Sequence, residues 1–181
     1  MVYNKAIKGK NITLRAIKPE DCTDDYVRWL NDPVVNQYLE TRWEKQSIES
    51  ILDYVNSIND SNHSYLFAIV ENSSDKHIGN IKIGPVHNRY KYTDISYFIG
   101  EPSAWGKGYA SEAIGLVTQF GFDVLSLNKI QASVISGNDS SVKALLKNGF
   151  SKEAELRDMF LINGEYRNAL IYSLLSSERG H

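Results

Sequence analysis

Residues 103–113, Ser-Ala-Trp-Gly-Lys-Gly-Tyr-Ala-Ser-Glu-Ala, constrain this chain more than any other stretch. They join an alternating, strand-like run (Asp94, Ile95, Ser96, Tyr97, Phe98, Ile99) to a long amphipathic helix, and they put Gly106 and Gly108 where that helix begins. The start of a helix offers main-chain N–H groups without intrahelical partners. Aligned peptide dipoles add partial positive charge there, and glycine lets an anion come close. The junction predicts a phosphorylated ligand held by main chain over residues 105–110.

Around that junction the chain reads as a mixed α/β protein. Residues 11–17 alternate apolar and polar side chains as a strand does. Pro19, Glu20 and Asp21 open a helix that stops at Asn31-Asp32-Pro33, and a turn over residues 34–39 leads to Thr41-Arg42-Trp43. Ser47 is an N-cap for a second helix with Ile48, Ile51, Leu52 and Val55 as its apolar stripe. Strands follow at 65–70, 77–84 and 93–99, then the helix over 107–124, a strand at 129–135 and a short helix at 140–148 closed by Gly149. A hairpin of 151–161 and 166–175 turns at Asn163-Gly164, a dipeptide suited to positive φ at both central positions. About seven strands result, mostly antiparallel. The fourth and fifth, separated by a long helix, should be parallel, with helices on both faces. No repeat or linker interrupts residues 1–181, so a single domain is expected.

Other phosphate-binding patterns do not fit. A Walker loop needs Gly-Lys-Ser/Thr, whereas Lys107 is followed by Gly108 and Tyr109. A dinucleotide fingerprint needs an acidic residue about 20 positions on, where this chain has Leu127, Asn128 and Lys129. A net charge of −2 gives no footprint for nucleic acid. The single cysteine, Cys22, lies at helical spacing from Tyr26, Trp29 and Leu30, which suits a buried thiol and excludes a cysteine-built metal site. No membrane-spanning run or leader is visible, so a soluble, cytoplasmic protein without a metal is expected.

The stretch Ala104-Trp105-Gly106-Lys107-Gly108-Tyr109-Ala110 resembles the acetyl-CoA pyrophosphate loop of the GNAT superfamily of N-acetyltransferases, with Ser103 standing where that pattern has Gln or Arg. A second block, Asn138-Asp139-Ser140-Ser141 with Leu145, Lys147, Asn148, Gly149 and Phe150, is similar to the corresponding segment of the ribosomal-protein alanine/serine N-acetyltransferase branch. Ile12 to Arg15, Trp29 to Pro33 and Asn163 to Arg167 also look like that branch. The resemblance implies a sheet splayed between the fourth and fifth strands. The pantetheine arm of acetyl-CoA would lie in the gap, held by Phe98, Ile99 and Asn138, while Trp105, Gly106, Lys107, Gly108, Tyr109 and Ala110 receive the pyrophosphate.

The chemistry so implied is direct attack of an amine on the thioester. A backbone N–H at Tyr97 or Phe98 would stabilise the oxyanion. Ser141 would give the departing thiolate a hydrogen bond, or else merely cap its helix; the tyrosine many relatives use is replaced by Leu145. Asn138 is either a pantetheine ligand or a turn residue. Asp94, Glu153, His87 and a water relay all stand as ways to deprotonate the amine. Asn36, Tyr38, Arg42 and Trp43 are placed near the acceptor, or serve as ordinary packing. A protein N-terminus is one acceptor; a polyamine, antibiotic or nucleotide-linked amino-sugar is another. A non-catalytic acyl-CoA sensor is the alternative of another class. Monomer and homodimer remain open.

Overall fold

The computed structural model describes residues 2–179. Eight strands form one twisted sheet: β1 (Ile7–Lys8), β2 (Ile12–Ala16), β3 (Tyr65–Glu71), β4 (Lys76–Ile83), β5 (Tyr92–Ile99), β6 (Lys129–Ile135), β7 (Ser151–Ile162) and β8 (Glu165–Leu175). Their order across the sheet is β1-β2-β3-β4-β5-β6-β8-β7, antiparallel except where β5 meets β6. Between them lie α1 (Asp24–Asn31), α2 (Pro33–Asn36), α3 (Ile48–Asp60), α4 (Tyr109–Asp123) and α5 (Asp139–Lys147).

The sheet buries both faces, and the strands show why. In β3, Phe67 and Ile69 turn to one side and pack with Ile114, Val117 and Phe120 of α4. Leu66, Ala68 and Val70 turn to the other and pack with Tyr26, Trp29 and Leu30 of α1 and Ile51 and Val55 of α3. An unbroken apolar run is what a central strand covered on both sides requires. Cys22 is buried in this second cluster, as its helical spacing suggested.

Several elements depart from the sequence-based expectation. The two-residue β1 makes eight strands rather than seven and pairs Ile7 with Leu14, so the parting expected between the fourth and fifth strands falls between β5 and β6. The helix expected from Pro19 is a 3₁₀ turn, Pro19–Asp21, and α1 starts afresh with Thr23 accepting from the Tyr26 N–H. Asp21 turns back instead, accepting two hydrogen bonds of 2.6 Å from the Arg15 guanidinium and one of 2.8 Å from the Lys18 N–H. The turn after Pro33 contains the helical turn α2, capped by Asp32 through the Val34 N–H. The 163–164 hairpin has positive φ at both residues, 52° and 81°.

Burial of Asp21 alone would raise its pKa; the Arg15 and Lys18 hydrogen bonds outweigh that and hold the carboxyl below its ordinary value. The lowered pKa makes this stabilisation complete above the unfolded carboxyl value of about 4 and lost as pH falls through the folded one. Asp21→Ala should cost about 2 kcal/mol at neutral pH, less than a fully buried pair because Arg15 is partly open to water. Urea denaturation of the two proteins at pH 7 and pH 3 checks this, with the difference shrinking at the lower pH.

Candidate functional site

The site begins where pairing stops. β5 and β6 share three parallel rungs, Tyr92 with Lys129, Thr93 with Ile130 and Asp94 with Gln131. At the last rung the Gln131 Nε2 donates to Asp94 Oδ1 at 2.8 Å. Beyond it, β5 continues bonded to β4 and β6 continues bonded to β8, but no ladder joins them. The strands diverge as a V with its vertex at Asp94 and Gln131, and their facing edges carry main-chain donors and acceptors that the protein does not pair with each other.

At the mouth of the V, a 3₁₀ turn (Pro102–Ala104) and the Trp105 indole, donating to Ile99 O at 2.8 Å, fix the approach to α4. Gly106 and Gly108 have φ of 74° and 82°, where a β-carbon is strained, and a β-carbon added at either would meet nothing within 4 Å. The open space lies on the outer side of the loop. Gly108 is the N-cap of α4, and its carbonyl receives the Glu112 N–H. Among the described residues no main-chain acceptor engages the N–H groups of Gly106, Lys107, Gly108, Tyr109, Ala110 and Ser111. Glu71, at the end of β3, orients the side chains here: it accepts from the Tyr109 hydroxyl at 2.6 Å and lies 3.7 Å from Lys107 Nζ. Hydrogen bonds from Ser74 and Tyr109, aided by Lys107, hold the Glu71 carboxyl below its ordinary pKa.

Across the V stands the start of α5. Asn138 is its N-cap, accepting from Ser140 Oγ and the Ser141 N–H, so the capping role belongs to Asn138 and not to Ser141. The Ser141 hydroxyl is free for another partner and sits 2.6 Å from the Tyr97 hydroxyl. Burial, partly offset by this contact, pushes the Tyr97 phenol up to about 12. Leu145 is wholly buried in the core and brings no hydroxyl. The tyrosine hydroxyl here comes instead from β5 and sits beside Ser141, one helical turn before Leu145.

On the α1 and α3 side of the sheet a cavity of about 590 Å³ opens onto the V. Tyr97, Phe98, Asn138, Ser141 and Tyr38 line it, as do Tyr54, Asn80, Lys82 and Ser96, which the sequence had not singled out. Tyr38 donates to Gly137 O at 3.1 Å. Asn36, Arg42 and Trp43 instead line a neighbouring cleft that reaches Ile162 and Asn163 at the hairpin tip. There Asn36 is a strut, donating to Leu30 O at 2.8 Å, and Arg42 bonds Leu39 O and stacks over Trp43. Of the possible bases, Asp94 is at the vertex. Glu153 is paired with Lys129, and His87 is an exposed ring stacked on Tyr92; none of the three, Asp94 included, lines the cavity. Asn80 and Lys82 alternate with Ile81 and Ile83 along β4, a pattern that a solvent-facing strand shares, and nothing in the sequence shows that α1 and α3 cover that face.

Among the described residues no helix is long and apolar enough to cross a membrane. The family profile described as "Acetyltransferase (GNAT) domain" matches residues 11–151. The chain is similar to the uncharacterized N-acetyltransferase p20 of Bacillus licheniformis, 29% identical over 93% of this chain and 95% of that one. It is also similar to the spermidine N(1)-acetyltransferase of Escherichia coli (strain K12), 30% identical over 88% of this chain and 83% of that one. Among solved structures, spermidine N-acetyltransferase from Vibrio cholerae in complex with CoA and spermine superposes with a TM-score of 0.83 at 24% identity, covering 94% of this chain and 98% of that one.

The positive φ at Gly108 makes a separable prediction. Gly108→Ala should cost about 1 kcal/mol of stability from backbone strain alone, since the added methyl meets open space. Chemical denaturation should show that loss, and a loss of several kcal/mol would mean the loop is packed from outside.

Proposed function

Because this chain belongs to the GNAT family of N-acetyltransferases, we propose that it moves the acetyl group of acetyl-CoA directly onto a primary amine bound in the cavity beneath α1 and α3. The observation that carries this reading is the unpaired V between β5 and β6, with six free N–H groups at its mouth and a cavity opening onto its length. The N–H groups of residues 106–111 suit a pyrophosphate, with Lys107 able to leave Glu71 for it. The Ile99 N–H, which faces away from β4, suits a carbonyl of a pantetheine arm, whose partner across the gap would be the Asn138 side-chain amide; the Phe98 backbone is bonded to β4 and the Ile99 carbonyl to Trp105.

Acetyl-CoA supplies the thioester; the protein supplies position and hydrogen bonds. The Tyr97 main-chain N–H, which faces away from β4, would donate to the carbonyl oxygen as it gains charge, whereas that of Phe98 belongs to the β4 ladder. Ser141 would donate its hydroxyl hydrogen toward the departing sulfur while Tyr97 donates to Ser141 Oγ, which points the serine hydrogen at the sulfur. The attacking amine gives up its proton to water, with Asp94, at the vertex but outside the cavity lining, as the carboxylate that would take it from there. The acceptor is a small-molecule amine: a cavity of about 590 Å³ has the size of a small-ligand site, and relatives similar along most of the chain bear the name spermidine acetyltransferase.

The test is thiol release from acetyl-CoA with a panel of small amines and peptides. Turnover on a small amine is expected; failure to bind acetyl-CoA would overturn the proposal, and binding without thiol release on any acceptor would favour the sensor. Gly108→Glu sets a negative charge against the pyrophosphate and should raise KM for acetyl-CoA about 10- to 100-fold, with little change in KM for the amine. Ser141→Ala should lower kcat about 100-fold and leave KM for acetyl-CoA nearly unchanged; an intact kcat would remove Ser141 from the chemistry.

A further inference from the structure

Asn80 and Lys82 stand two residues apart on β4 and therefore point to the same face, the one covered by α1 and α3. Across the ladder they oppose Phe98 and Ser96 of β5, and both line the cavity. The asparagine is held in one orientation. His77 Nε2 lies 3.0 Å from Gly79 O and 2.9 Å from Asn80 Oδ1; since a carbonyl only accepts, Nε2 carries a hydrogen and Asn80 Oδ1 receives it. Asn80 Nδ2 is thereby turned away from His77. Asn80 is only 3% exposed, and although the Tyr26 hydroxyl is near, Nδ2 completes no hydrogen bond of ordinary geometry. A buried donor left in that state is costly unless a ligand supplies the acceptor.

Beside it, the Lys82 ammonium has no acidic partner among the described residues. The one carboxylate in the cavity lining is Glu40, whose side chain is 74% exposed and lies 3.6 Å from Arg42. The other titratable groups facing this floor, Tyr26, Tyr38, Tyr54 and Tyr97, are phenols. The cavity lining thus offers an ammonium and an amide N–H; its one carboxylate is the exposed Glu40, and Asp94, on the same face at the vertex, lies outside the lining and accepts from Gln131. We infer that the amine acceptor carries an anionic group, carboxylate or phosphate, which Lys82 and Asn80 Nδ2 bind while its amine faces the vertex. This rests on the acetyl-transfer reading above and narrows it. A polyamine would set a second and third ammonium against Lys82, with Glu40 as the one carboxylate in the cavity lining.

Matched amines test it in the intact protein: glucosamine 6-phosphate against glucosamine, a uridine-diphosphate-linked amino-sugar against the free sugar, phenylalanine against phenylalaninamide, and spermidine. Binding to the CoA-loaded protein is measured by calorimetry and thiol release is measured in parallel. The acidic member of at least one pair should bind about tenfold or more tightly than its uncharged match. The pairs tell phosphate from carboxylate. Lys82→Met should abolish the preference, Lys82→Arg should keep it, and Lys82→Glu should turn it toward spermidine, with CoA binding unchanged in all three as the check on folding. Preference for spermidine or for the uncharged members overturns the inference, as does failure of every acidic amine to bind or a preference that survives Lys82→Met. Acidic amines that bind but are never acetylated would leave the anion site standing and count against the transfer reading instead.

Discussion

Everything in this molecule turns on two neighbouring strands that stop bonding to each other after three rungs. A sheet gains by continuing a ladder, and interior N–H and C=O groups left unpaired are costly. β5 and β6 forgo that gain beyond Asp94 and Gln131, which hold the vertex, and each stays bonded on its other side, β5 to β4 and β6 to β8. The result is two sheet edges in the middle of a protein. An extended chain with its own amide groups fits there as a strand would, and an acyl-pantetheine arm is such a chain. The glycine loop at the mouth and the cavity on one face are then the two ends of one path.

The charges along that path are arranged in sequence. At the mouth, Glu71 keeps Lys107 and the Tyr109 hydroxyl in place without filling the space outside Gly106 and Gly108. At the middle, the groups to which we assign the reacting atoms are hydroxyls and main-chain N–H rather than ions, and the raised Tyr97 pKa keeps that phenol a donor at neutral pH. Direct acyl transfer needs no more, since the amine itself is the nucleophile and no side chain has to be ionised to attack.

Much of this was legible in the residues. Gly106, Gly108 and the Asn163-Gly164 turn could be placed because positive φ restricts which residues serve there. The alternation of Ile12 and Leu14 and the two-sided apolar run at 65–70 reported their burial directly. What could not be read depended on distant partners. β1 is two residues long and shows no period. Pro19 with Glu20 and Asp21 reads as a helix start, but Asp21 turns back to Arg15 and the helix begins only at Asp24. Tyr97 was expected to contribute its backbone alone, because its hydroxyl meets Ser141 only once α5 is folded against the V. Asn80 and Lys82 alternate with Ile81 and Ile83 as a solvent face would, and only the tertiary fold roofs them with two helices.

On the proposed function, the loop of residues 106–111 would recognise its ligand with atoms that every amino acid possesses. Its requirement is a backbone path, two glycines at positive φ and a helix to follow; Ser103, where the superfamily pattern has Gln or Arg, leaves that path intact. The cavity floor is the reverse, since Asn80, Lys82 and Ser96 act through their side chains and one substitution rewrites what they attract. Half of the reaction is thus stored in conformation, which drifts slowly, and half in side-chain identity, which drifts fast. A protein divided in this way can keep one donor while exchanging acceptors, so that descent from a common ancestor says a good deal about the coenzyme and rather little about the amine.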